Sequence, residues 1–136
     1  MSTLKANTFT GTTSAGSILV TGEGGSTTTN LQQGLCKHWT TVDATVPEAT
    51  DSLNESSITD NGYSDITYNF TNNMNNDDYS TGSLCTYNIT SNPYTTLGFF
   101  GDVPTTSAYR THGFYSTTMR GNDYNRGTVN TFGDLA

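Results

Sequence analysis

The sequence predicts an all-β protein, and three observations carry that reading. Thr, Ser, Asn and Gly fill the chain, Thr alone occurring 28 times among 136 residues, alongside eight Tyr and six Phe. Thr and aromatic side chains suit the half-buried, pleated surface of a strand. No window repeats apolar residues at the i, i+3, i+4, i+7 spacing of an amphipathic helix. The stretch Asp51–Thr71 instead alternates with a period of two, placing Ile66, Tyr68 and Phe70 on one face and Asp65, Thr67, Asn69 and Thr71 on the other. Several short strands in this style predict an antiparallel β-sandwich of Greek-key or jelly-roll-like kind.

That same stretch contains the turn cluster Asp60, Asn61, Gly62. Asn and Gly both accept the positive φ of a type I′ turn, so a β-hairpin is expected with Asn-Gly at its tip. Leu53 and Ile58 lie an odd number of positions apart. A flat strand would point them to opposite faces, which predicts a bulge or bend near Glu55–Ser57.

Taken in order, the chain divides by composition. Residues 1–34 are almost without bulk, Thr, Ser and Gly set around the apolar side chains of Leu4, Phe9, Ile18, Leu19 and Val20. Gly22–Asn30 reads as a flexible linker. Such a segment cannot bury enough surface to offset its ordering entropy, so an extended N-terminal arm ordered by something outside itself is expected. Residues 35–136 are expected to form the β-sandwich, a knob. Leu35–Val46 is a strand candidate whose even positions, Cys36, His38, Thr40, Val42, Ala44 and Val46, make the more apolar face. Pro47 interrupts pairing. After the hairpin comes a turn-rich loop carrying Met74, then a strand over Tyr79–Thr90, a short apolar run at Leu97–Phe100, and closing strands at Tyr109–Met119 and Thr128–Phe132.

Net charge is −7, from 12 acidic and five basic residues. Such a chain has no electrostatic footprint for phosphate backbones or anionic membrane surfaces, so no nucleic-acid partner and no membrane insertion are expected. The first residues lack the apolar core of a secretory signal, and no run approaches the roughly 20 apolar residues of a membrane-spanning helix. The expectation is a chain made in a cytoplasm. Two cysteines, Cys36 and Cys85, read as small buried hydrophobes. They could form a bridge if their strands are neighbours, although a reducing compartment disfavours it.

No catalytic motif stands out. Cys36 and His38 share a strand face, but a zinc site needs about four ligands and the chain has only two Cys and two His, far apart. His112 beside Gly113 reads as a solvated or hydrogen-bonded histidine. The Asn75–Asp78 run lacks the Gly and closing Glu of a calcium loop. Glu23, Glu48 and Glu55 have no sequence-evident partner for a glycosidase pair. No cofactor, metal or catalytic residue is assigned.

The segments LQQGLCKHW (Leu31–Trp39), DSLNESSITDNGYSDITYNFTNNMNNDDYS (Asp51–Ser80) and NTFGD (Asn130–Asp134) resemble small tail-fibre and appendage proteins of tailed, especially marine, bacteriophages. The likeness is strong over residues 31–80, weak over the arm, and absent between Pro93 and Arg126. Cys36, His38 and Cys85 stand outside the family's pattern, and the Asn72–Asp78 loop lacks its usual Pro. The resemblance implies a virion structural protein, a homotrimer that attaches by its N-terminal region and exposes a β-rich knob. A trimer would also account for a thin core and a bare arm becoming stable together, since three arms satisfy one another's backbone groups.

On that reading Leu4, Phe9, Ile18, Leu19 and Val20 are the docking and trimer residues, and other virion proteins of capsid or tail are partners. Leu35 and Trp39 sit where arm meets body. Trp39 is either a seam between subunits, where aromatics are enriched, or an ordinary core residue. Tyr94, Phe99, Phe100, Tyr109, Phe114, Tyr115 and Tyr124 raise a further role, stacking on host-surface glycans from an exposed surface. Half-buried tyrosines of a sandwich are the plainer account of the same residues. A capsid decoration or cement trimer and a monomeric carbohydrate-binding module are the competing readings.

Overall fold

The computed structural model describes residues 3–11, 18–22, 25, 27–86, 96–99, 104–115, 118–119 and 123–135, with the backbone alone at 33, 86, 96–99, 114–115 and 118–119. The chain falls into two compact units, Met1–Leu35 and Cys36–Ala136. Eleven strands and one helical turn are described, and every strand pairing is antiparallel.

The first unit contains a two-stranded ribbon, β1 (Leu19–Thr21) against β2 (Thr28–Asn30), followed by a single turn of helix, α1 (Leu31–Gly34). Composition predicts a linker over Gly22–Asn30, yet Thr28, Thr29 and Asn30 are strand. The glycines close the ribbon: Gly22 N–H donates to Thr27 O at 2.9 Å, and Gly25 sits at φ +76°. That conformation costs glycine little. Asn30 accepts the Gln32 N–H on its side chain at 2.8 Å, starting α1 as an N-cap does.

The second unit is sandwich-like. One sheet has the order β4-β3-β11-β7, from β3 (Cys36–Asp43), β4 (Glu48–Leu53), β7 (Ser80–Thr86) and β11 (Arg126–Phe132). The other has the order β10-β9-β6-β5, with β8 also pairing β9. Its strands are β5 (Glu55–Gly62), β6 (Asp65–Phe70), β8 (Thr96–Phe99), β9 (Ala108–Tyr115) and β10 (Thr118–Met119). Val42, Val129 and Cys85 from the first sheet meet Ile66, Tyr68, Phe70 and Tyr109 from the second in one core, which Met74, Tyr79 and Tyr124 complete. The alternation of β6 is as the sequence predicts, with Ile66, Tyr68 and Phe70 all inside.

The hairpin of β5 and β6 forms, but its tip is displaced. Gly62 pairs Asp65, so the loop is Tyr63-Ser64, and the register shifts between Asp60 and Gly62. Distant contacts outweigh the Asn-Gly preference. Ser64, at φ 55°, is fully buried; its N–H donates to Asp123 Oδ1 at 2.7 Å, and its carbonyl accepts the Gly113 N–H at 2.8 Å. The expected irregularity at the other end is present: the register slips between Glu55 and Ser57, and Asn54 adopts φ 61°. At Asn54 the chain leaves the first sheet for the second. Its side chain holds the crossing, accepting the Asn72 N–H at 2.7 Å and donating to Asn72 O at 3.0 Å.

Two further expectations change. The β3 strand ends at Asp43, and Val46 lies exposed in the turn that follows, so the apolar face stops at Ala44. The question of a bridge is also resolved, because both cysteines are free. Cys36 aligns with Phe132 and Cys85 with Gly127 on the intervening β11. Five positions along a strand is roughly 17 Å, far beyond the Cα separation of about 7 Å that a disulfide tolerates.

Candidate functional site

Two places in the second unit gather chemistry, one between the sheets and one on an outer face. Between the sheets lies His38, carried inward by the even-numbered face of β3 and wholly shielded from water. Its Nε2 is 2.8 Å from Glu55 Oε2, and its Nδ1 is 3.2 Å from the Tyr109 hydroxyl. Glu55 Oε1 accepts the Asn69 N–H at 3.0 Å, so both carboxylate oxygens are used. Phe70 and Tyr109 meet the imidazole edge-on at ring separations of 5.0 and 5.6 Å. Buried polar groups are tolerated where they are satisfied in this way. The cluster acts as a fastening between β3, β5 and β9.

A second buried contact joins Tyr68 to Tyr124, hydroxyl to hydroxyl at 3.1 Å. Tyr68 also stacks on Tyr109, its partner in register, at 5.1 Å. Burial pushes the Tyr68 phenol up to about 12, and raises Tyr109, Tyr124 and Tyr79 in the same direction. On the opposite face of the same sheet, Arg110 forks onto the Asp65 carboxylate, Nε at 2.6 Å, while His112 Nδ1 approaches the same carboxylate at 3.4 Å. Desolvation lowers the His112 pKa, partly countered by Asp65.

The outer face of the β4-β3-β11-β7 sheet is different in kind. Strand alternation turns Trp39 and Thr41 of β3, Thr128 and Asn130 of β11, and Leu84 of β7 away from the core. In register, Leu53, Trp39, Asn130 and Gly82 form one row across the four strands, and Asp51, Thr41, Thr128 and Leu84 the next. A shallow depression of about 410 Å³ lies along these rows, lined by Trp39, Thr41, Gly82, Leu84, Thr128 and Asn130 among others, none of them charged. Gly82 is what makes room there: a Cβ at that position would stand 2.5 Å from Asn130 Oδ1. Among the described residues, the Trp39 indole N–H, the Asn130 amide and the Thr41 and Thr128 hydroxyls make no side-chain hydrogen bond.

Comparisons with protein families, with curated proteins and with solved structures return no match. The site is therefore read from its own chemistry.

Among the residues singled out from sequence, Trp39 is half-buried on this outer face and is not a core residue. Leu35 is exposed, as are Leu4, Phe9, Leu19 and Val20, while Ile18 is half-buried. Within the first unit Phe9, Ile18, Leu31 and Leu35 line a small apolar depression. Tyr109 and Tyr124 correct the reading of an exposed aromatic surface. Both are interior, because β9 pairs with β6 and turns Tyr109 onto Tyr68, while Tyr124 closes the core over Gly127. Tyr94 and Phe100 lie outside the described residues, as do the side chains of Phe99, Phe114 and Tyr115.

The thiol of Cys36 donates to the His38 carbonyl at 3.0 Å and not to its ring, so the two form no thiolate–imidazole pair. Among the described residues no three His, Cys, Asp or Glu side chains gather as a metal site, and no helix is long and apolar enough to cross a membrane. Sequence reasoning passed over Asn130, Thr128 and Leu84. The strict alternation of Arg126–Phe132 would have marked Thr128 and Asn130 as outward-facing.

Proposed function

We propose that the protein is a bacteriophage virion structural protein, a homotrimeric fibre or appendage that docks on the particle through residues 1–34 and presents a jelly-roll-like knob for host attachment. One observation carries this reading. In a first unit of 35 residues, Leu4, Phe9, Leu19, Val20 and Leu35 remain between 49% and 77% exposed. Units below about 40 residues rarely hold a fold without a metal, a disulfide or a partner. Here the cysteines lie outside the unit and are free, and apolar side chains on this scale are surface that another chain covers. Copies of the same chain and neighbouring virion proteins of tail or capsid are the partners that the sequence resemblance suggests. The second unit supports the knob: it has its own core, and its chain passes repeatedly from one sheet to the other, as Greek-key connections do.

The role is structural and non-enzymatic, and the host-surface glycan is a partner of the knob. A capsid cement trimer is the alternative within the class. Deleting residues 1–30 separates the two: a fibre keeps a soluble trimeric knob and loses particle attachment, whereas loss of a cement trimer also lowers the thermal or mechanical stability of the capsid. A monomeric knob that still binds sugar would instead support the carbohydrate-binding module.

A further inference from the structure

We propose that the outer face of the β4-β3-β11-β7 sheet is a binding site for an uncharged saccharide, with Trp39 as the stacking platform and Asn130, Thr41 and Thr128 reading its hydroxyl groups. The proposal deepens the attachment reading above and rests on it for the setting in which a sugar is met.

The chemistry of the lining selects the ligand. A pyranose ring has an apolar C–H face and a rim of hydroxyls, each both donor and acceptor. Trp39 supplies an aromatic plane, and such planes are good at covering apolar area in a defined geometry. Around it stand groups that match hydroxyls: a carboxamide, with two donors and an acceptor, and hydroxyls that donate and accept. Several surface asparagine amides are spent within the fold: Asn54 is bonded to Asn72, Asn61 to Thr67, and Asn69 to Ser57 and Thr59. Asn130 makes no such bond among the described residues and stands beside Trp39 in register.

Charge points the same way. No charged side chain lines the depression, and the chain as a whole carries −7, so an anionic polymer meets net repulsion, with Arg126 the cation next along the exposed face of β11. The nearest acidic group in register, Asp51 opposite Thr41, already accepts the Ser52 N–H at 2.9 Å. The depression, about 410 Å³, is within the range of about 300–1,000 Å³ usual for small-molecule sites. Its floor depends on Gly82. Any larger residue there would drive the Asn130 amide out of the position it holds. A second copy of this chain would favour a more continuous apolar surface than Trp39, Leu53, Leu84 and Phe132 interrupted by Thr41, Thr128 and Asn130.

Trp39 is the only tryptophan of the chain, so its fluorescence reports on this face alone. The full-length protein is passed over an array of neutral oligosaccharides, with alginate and chondroitin sulfate as anionic controls. Glycans retained are then titrated by tryptophan fluorescence and by calorimetry, with the molar mass followed by light scattering in the same samples. At least one neutral glycan is expected to bind with a saturable change in Trp39 emission, and the anionic polymers are not. Trp39→Ala should weaken binding by about tenfold or more. Asn130→Ala and Gly82→Val, which leave the platform in place, should each weaken it measurably.

Retention of no neutral glycan overturns the proposal, as does binding that Trp39→Ala, Asn130→Ala and Gly82→Val all leave unchanged. If Trp39→Ala reduces the mass while no sugar binds, the face belongs between copies and the saccharide site is refuted. Sugar binding by a protein whose mass is that of one chain upholds the site and refutes the trimer.

Discussion

His38 Nε2 lies 2.8 Å from Glu55 Oε2, and neither side chain retains more than 4% of its surface in water. The two residues come from different sheets, β3 and β5, so this contact, with the Tyr109 hydroxyl on His38 Nδ1 and the shared core, ties the two sheets together. Removing the carboxylate strands a buried imidazole. Glu55→Ala should therefore cost about 3–5 kcal/mol if the pair is ionic, and about 1–3 kcal/mol if it is a neutral hydrogen bond. Urea unfolding followed by circular dichroism measures the difference. A cost below about 1 kcal/mol would contradict the role given to this pair.

Gly127 is required for a different reason. A Cβ there would stand 2.6 Å from Tyr124 Cε2, inside the ring's contact distance. Gly127→Ala must push Tyr124 off its seat and loosen its hydroxyl contact with Tyr68. Overpacking of this kind costs typically about 1–3 kcal/mol. Gly34→Ala, where nothing lies within 4 Å, is the control expected to leave stability almost unchanged. Equal effects from the two would count against the close packing of Tyr124.

Alkali should unfold the protein. Burial raises the Tyr68 phenol from about 10 to about 12, and lifts Tyr79, Tyr109 and Tyr124 as well. Above the unfolded value the unfolded chain releases protons that the native chain keeps, so ν_U falls below ν_N and stability declines with pH. The contribution is complete below pH about 10 and is lost through pH about 12. Urea midpoints taken across that window should fall steeply, and less steeply in Tyr68→Phe. A flat profile would mean that these phenols titrate freely.

The parts of this fold that were legible in the sequence are those fixed by near neighbours. The alternation of Ile66, Tyr68 and Phe70 declares a strand with one buried face, and the odd spacing of Leu53 and Ile58 declares the break at which the chain changes sheets. What was not legible is set by residues far along the chain. The hairpin tip moves from Asn61-Gly62 to Tyr63-Ser64 because Asp123, 59 residues away, captures the Ser64 N–H. Tyr109 and Tyr124 carry polar ends suited to a surface; the pairing of β9 with β6 turns Tyr109 inward, and the absence of a side chain at Gly127 leaves room for Tyr124 over the core. Of the candidate site, Trp39 was visible. Gly82 and Asn130 were not, since their significance lies in standing opposite each other across two strands.

The account depends most on the claim that the first unit is completed by copies of the same chain. Light scattering on the purified full-length protein in dilute solution tests it directly. A molar mass three times 14.6 kDa is the predicted result, and a stable, ordered species of 14.6 kDa would contradict it.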